Sequence, residues 1–102
     1  MKRRLYDLAY GRAGDKGNIA NVSVIARNSV AYEEIKAKLT AERVKGHLGD
    51  LVQGRVVRYE VDNLEALNFV LHDALDGGAT RSLRIDSLGK SLAGALLYME
   101  WE

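Results

Sequence analysis

The sequence contains no cysteine. Disulfide bonds, thiolate nucleophiles and thiolate metal ligands are therefore excluded, and this absence fits the cytoplasmic location that we predict. The only two histidines, His47 and His72, are far apart and lack the His-Glu-x-x-His spacing of a zinc site. We therefore predict neither a metal site nor a bound cofactor.

The chain also lacks a strong charge of either sign and a long hydrophobic run. Its 15 basic and 14 acidic residues give a net charge of +1, whereas nucleic-acid binders carry a clear basic excess that neutralises phosphates. The uncharged stretch at residues 17–26 has about half of the roughly 20 residues that a membrane helix needs. We therefore expect a protein that binds neither nucleic acid nor membranes.

Hydrophobic periodicity predicts a single domain over residues 1–102 in which strands and helices are mixed. We predict strands over residues 4–10, 19–26, 55–61 and 80–86. We predict helices over residues 31–39 and 41–48, a third after Asp62 and a last one after Ser91. Such elements predict an α+β two-layer sandwich: a four-stranded, mainly antiparallel sheet with helices packed on one face.

The third helix has the strongest pattern of the four. Asp62 and Glu65 have the spacing of a capping box, and an apolar stripe follows at helical spacing. The stripe consists of Leu64, Leu67, Leu71, Ala74 and Leu75.

A glycine-rich segment between the first two strands is the strongest candidate for a binding site. It is predicted to be a loop whose backbone amides form a nest for a carboxylate or phosphate, with Arg12 and Lys16 as cations. It is not a Walker A loop, because Lys16 precedes Gly17 and a strand follows. The alternative is a hairpin loop whose glycines serve only its shape. The predicted ligand-binding residues here are Gly11, Arg12, Gly14, Asp15, Lys16, Gly17 and Asn18.

A second candidate lies at the start of the predicted fourth strand, at Thr80 and Arg81. Period two places Arg81 on the inward face, at the end of the strand. Its planar guanidinium suits a carboxylate or phosphate ligand, and a structural ion pair is the alternative.

Two further residues lie on the predicted third helix. Asn68 falls on the flank of the apolar stripe, where its amide needs partners and would brace the glycine-rich loop. Asn68 is also a predicted ligand-binding residue, which would join the loop and Arg81 in a surface that binds an anion or a partner. Phe69 points away from the stripe, and we predict a contact with a partner or a second copy of the chain there, because interfaces are enriched in aromatic residues.

Four blocks of the sequence resemble a known domain. They are Tyr10–Asn21, Leu39–Val44, Asn63–Leu71 and Gly77–Leu83. In this order they resemble the ferredoxin-fold-like domain at the C-terminus of AtuA-type acyclic terpene utilisation proteins, which also occurs as a small stand-alone protein. The resemblance implies a ferredoxin-like fold, a larger AtuA-type partner and a place in acyl-CoA catabolism of branched or terpenoid acids. It supplies no catalytic residue.

Two hypotheses about function follow. The first is a small ligand-binding and interaction subunit that forms homo-oligomers and works with an AtuA-type protein, binding a small anion or acyl-CoA. The second is a stand-alone acyl-CoA hydratase or isomerase in which Lys16, Asp15 or His72 is the acid–base group.

Overall fold

The structure is a computed structural model that describes residues 3–16, 19–49, 52–74 and 92–101. Its main sheet has four antiparallel strands in the order β2-β3-β5-β4. These strands are β2 (Ala9–Lys16), β3 (Ile19–Ala26), β4 (Val56–Val61) and β5 (Ala66–His72). Two short strands, β1 (Arg3–Arg4) and β6 (Glu100–Trp101), form a separate antiparallel pair.

The predicted loop over residues 11–18 is wrong for residues 11–16, which belong to β2. This strand pairs with β3 from Ala9 opposite Ala26 to Lys16 opposite Ile19. The predicted first strand over residues 4–10 is wrong for residues 5–8, since a 3-10 turn at Leu5–Asp7 separates β1 from β2, which begins at Ala9.

The packing explains why Gly11 lies within a strand. A Cβ atom added to Gly11 would lie 2.9 Å from Cδ1 of Leu97. Glycine here allows a helix to approach the sheet closely, which is a different use from forming a loop.

The predicted third helix is wrong, because Asp62–Leu64 forms a 3-10 turn and Ala66–His72 forms β5. Leu67 and Leu71 are four residues apart, a spacing that fits both a helix and a strand. Phe69 distinguishes the helix from the strand. It lies two residues from each leucine and is fully buried like them, which is the alternation of a strand. The prediction of an exposed contact at Phe69 is therefore wrong.

The other described helices confirm the predictions. Helix α1 (Ser29–Lys38) is capped by Asn28, and α2 (Ala41–Leu48) is capped by Thr40 and followed by Gly49. Helix α3 covers residues 92–97. The predicted strand at residues 80–86 lies outside the described residues.

The core lies between the helices and one face of the main sheet. Val22, Val24, Leu67 and Phe69 of the sheet are buried in one cluster with residues of α1, α2 and α3, among them Ile35, Val44 and Leu96. The predicted α+β two-layer architecture, with an antiparallel four-stranded sheet, is confirmed. Among the described residues, no helix combines the length and apolar character needed to cross a bilayer.

Candidate functional site: a groove on the open face of the sheet

The face of the main sheet that points away from the buried cluster, called the open face below, carries a row of polar residues. The strand registers place Arg12 opposite Ser23, Ser23 opposite Asn68, and Asn68 opposite Tyr59. Residues directly opposite each other in antiparallel strands share a face and are close neighbours. The row therefore crosses all four strands.

Hydrogen bonds orient the centre of this row. The Ser23 hydroxyl donates to Oδ1 of Asn68 at 3.1 Å, and Nδ2 of Asn68 donates to Oδ1 of Asn21 at 3.0 Å. These two bonds fix which end of the Asn68 amide faces each neighbour. The central strands thus hold Asn68 in one orientation on the open face.

A groove of about 230 Å³ lies along this row. Its polar side is formed by Arg12, Ser23 and Asn68, and its other lining residues are apolar. The apolar lining residues are Ile25, Val61, Leu64 and Ala66. We call this feature the Arg12–Asn68 groove; it joins a cationic end to a hydrocarbon wall.

Arg12 supplies the charge of the groove. Its side chain is exposed, and no described residue forms a hydrogen bond or ion pair with its guanidinium. Two of the other described arginines are engaged in ion pairs: Arg3 binds Glu34, and Arg58 binds Glu60 and also the carbonyl oxygens at the end of α1. Arg12 therefore presents donors that an external anion can use.

Two of the sequence-predicted ligand residues, Arg12 and Asn68, meet in this groove, as expected for neighbours in space. Gly14 lies opposite Asn21 in the next row, whereas Gly11 lies opposite the buried Val24 and packs under Leu97. Asp15 and Lys16 are the last two residues of β2, and their side chains are not among those that the structure describes. The remaining predicted residues, Gly17, Asn18, Thr80 and Arg81, lie outside the described residues.

The predicted amide nest does not form over residues 11–16. Successive amides of an extended strand point to alternate sides, so they do not converge on one anion. Any anion that binds here meets the Arg12 side chain instead. The binding roles of the individual residues remain predictions.

Sequence reasoning missed several lining residues. Ser23 and Ile25 had a usable signal, because strict alternation in β3 places them on one face with Asn21. Val61, Leu64 and Ala66 had no usable signal while the segment after Asp62 was interpreted as a helix. Only the strand assignment of β5 brings its residues beside Ser23.

The groove is suited to binding rather than to proton transfer. Arg12 is its only titratable lining residue among those described, and a guanidinium stays protonated at neutral pH. His72 ends β5 opposite Ile19 and does not line the groove. Nε2 of His47 lies 2.7 Å from the Ala95 carbonyl oxygen, away from the groove.

The perturbed titrations belong to structural contacts on the other side of the sheet. Burial and then the hydrogen bond to Asp62 raise the pKa of Tyr32 to about 12. Hydrogen bonds from Arg3 and Trp101 hold the pKa of the Glu34 carboxyl below its usual value. Among the described residues, no group of three or more acidic or histidine side chains could hold a metal ion.

The comparisons with known proteins identify the family of the chain. Neither the curated proteins nor the solved structures contain a match to this chain. The family model of the AtuA ferredoxin-like domain matches residues 3–102. The chain therefore belongs to the AtuA ferredoxin-like domain family.

Proposed function

We propose that this protein is a small ligand-binding and interaction subunit that works with an AtuA-type protein in the catabolism of terpenoid or branched acyl-CoA compounds. The observation that carries the proposal is the Arg12–Asn68 groove, in which Arg12 has no ion-pair or hydrogen-bond partner among the described residues and lies beside an apolar wall. Membership of the AtuA ferredoxin-like domain family supports the choice of partner.

The open face also has the composition of a docking surface. Tyr10 and Tyr59 are 55% and 53% exposed there, and Leu64 at the groove is 64% exposed. Exposed tyrosines are enriched at protein interfaces because each combines a large apolar ring with a hydroxyl. We infer that the AtuA-type protein docks on this face and that the groove lies within or beside the contact.

Co-purification tests this proposal. The 102-residue chain is tagged, expressed together with the AtuA-type protein and isolated in the presence and absence of acyl-CoA. We expect the two proteins to elute together. The variant Tyr59→Glu should lose the partner, because it places a charge within the proposed contact.

The matched control is Val30→Glu. Val30 is 79% exposed on α1, so this variant adds the same charge to a different surface. We expect it to retain the partner. Elution of the wild-type chain without the AtuA-type protein, or equal retention by both variants, would contradict the proposed docking.

A further inference from the structure

We propose that the Arg12–Asn68 groove binds a small aliphatic acid of roughly six to ten carbon atoms through its free carboxylate. This inference rests on the proposed function, because it names the ligand class for the same site. In the proposed complex the carboxylate lies on the Arg12 guanidinium and the hydrocarbon chain lies against Ile25, Val61 and Leu64.

The positive charge of Arg12 indicates that the ligand carries a negative charge. Arg12 is the only charged residue among the described residues that line the groove, so no carboxylate of the lining competes for it. The guanidinium presents parallel N–H groups whose spacing matches the two oxygens of a carboxylate. An amine is excluded from this end of the groove by like charge.

The neighbouring polar groups favour a single oxygen-rich head group. Ser23 uses its hydroxyl proton on Asn68, and Asn68 uses one of its two N–H groups on Asn21. The second N–H group of Asn68 is available to a ligand oxygen. One guanidinium and one amide N–H match the two oxygens of a carboxylate, whereas a phosphate dianion would keep charge and acceptor oxygens without a partner among the described lining residues.

The apolar wall and the volume of the groove determine the polarity and the size of the remainder of the ligand. Ile25, Val61, Leu64 and Ala66 have no polar side-chain atom, so they favour a hydrocarbon chain. A cavity of about 150 Å³ is large enough for benzene, and this groove has about 230 Å³. Drug-sized ligands occupy roughly 300–1,000 Å³, so the ligand here is smaller.

NMR titration of the full 102-residue chain tests the assignment with four soluble probes. Hexanoate carries both the charge and the chain, acetate lacks the chain, hexanamide lacks the charge and hexylammonium reverses it. We expect saturable shifts at Ser23, Ile25 and Asn68 with hexanoate. Acetate and hexanamide should bind at least tenfold more weakly, and hexylammonium should leave these signals unchanged.

Variants separate the two ends of the groove. Arg12→Ala should weaken hexanoate binding at least tenfold, because it removes a charge-assisted contact. Leu64→Ala should weaken hexanoate several-fold and leave acetate unchanged. The control is Arg55→Ala, which removes an exposed arginine at the far end of β4 and should stay within twofold of the wild type.

Equal binding of hexanoate and hexanamide would overturn the carboxylate assignment, as would full affinity in Arg12→Ala or shifts confined to another surface. Absence of saturable shifts with hexanoate would also overturn it. The titration contains no AtuA-type protein. If hexanoate does not bind but the two proteins still co-purify, only the proposed ligand class is wrong. If hexanoate binds but the two proteins do not co-purify, only the proposed partner is wrong.

Discussion

The hydroxyl of Tyr32 donates a hydrogen bond of 2.5 Å to Oδ1 of Asp62. Tyr32 lies on α1 and is 7% exposed, whereas Asp62 begins the 3-10 turn between β4 and β5. Nζ of Lys36 donates to the same oxygen at 3.0 Å. Because both donors come from α1, this pair of bonds ties the turn between two strands of the sheet to the helical layer.

Removing the hydroxyl should weaken that connection. We expect Tyr32→Phe to lower the free energy of unfolding by about 1 kcal/mol, the usual net contribution of one hydrogen bond. Urea denaturation measures the change. The control is Tyr6→Phe, since Tyr6 is 60% exposed, and it should match the wild type. Equal stability of Tyr32→Phe and the wild type would mean that the bond adds nothing.

The same tyrosine predicts a loss of stability at alkaline pH. Burial and the bond to Asp62 raise the pKa of Tyr32 from 10.0 to about 12. Because folding favours the protonated hydroxyl, this contribution is complete below pH 10 and is lost as the pH rises from 10 towards 12. Unfolding measured across that range should show a steeper decline for the wild type than for Tyr32→Phe. Parallel curves would contradict the assignment.

Glu34 predicts the opposite behaviour at acid pH. Arg3 and Trp101 both donate to its Oε2, at 2.7 and 2.6 Å, and lower the pKa of its carboxyl below 4.5. The folded state therefore favours the carboxylate, and its contribution is present above pH 4.5 and lost as the pH falls through the lowered pKa.

The variant Glu34→Gln should be less stable than the wild type at pH 7, and the difference should shrink as the pH falls below 4.5. Urea denaturation at several pH values measures this. The control is Glu33→Gln, since Glu33 is exposed on the same helix, and this variant should be as stable as the wild type at pH 7. A constant difference for Glu34→Gln would show that the carboxyl titrates normally.

The sequence predicted an element correctly where its local pattern fitted only one type of secondary structure. Helix α2 had a capping threonine, an amphipathic stretch and a terminal glycine that all agreed, and it was predicted correctly. The segment after Asp62 offered a capping-box pair and leucines four residues apart, which fit two structures equally well. The choice was made by pairing with Ile19–Ala26, a contact between distant residues that no local window contains.

Prediction of the candidate site from the sequence was limited in the same way, because it also depends on contacts between distant residues. Arg12 and Asn68 were identified as binding residues, but the glycines beside Arg12 were interpreted as a loop. Their strand conformation depends on the ladder with β3 and on Leu97 packing over Gly11. The groove itself needs four strands in a particular order, and that order is a property of the whole sheet.

The strand assignment of β5 predicts unequal effects of neighbouring substitutions. Phe69 is fully buried, whereas Val70 lies opposite Asn21 on the open face. We expect Phe69→Ala to lower the free energy of unfolding by about 3–5 kcal/mol and Val70→Ala to have a much smaller effect. If Phe69→Ala does not fold, Phe69→Leu provides a milder measurement. Comparable effects at both positions would contradict the alternation.

Two glycines, Gly54 just before β4 and Gly14 in β2, lead to the last prediction, because one is closely packed and the other faces open space. A Cβ atom on Gly54 would lie 2.6 Å from the backbone oxygen of His72, to which the Gly54 amide donates at 2.9 Å. Backbone atoms in a ladder cannot rotate aside, so Gly54→Ala should lower the free energy of unfolding by about 1–3 kcal/mol. A Cβ on Gly14 would meet nothing within 4 Å.

Gly14→Ala should therefore leave stability unchanged or raise it by about 0.4–1 kcal/mol, because alanine restricts the unfolded chain. Thermal or urea unfolding of both variants measures the contrast, and equal effects would show that the backbone near His72 can move. Gly14→Ala is also informative in the hexanoate titration. Gly14 lies on the open face without lining the groove, so a stable variant that binds hexanoate like the wild type would assign recognition to the Arg12 side chain. A stable variant that lost binding would instead mean that the ligand lies against the backbone of β2.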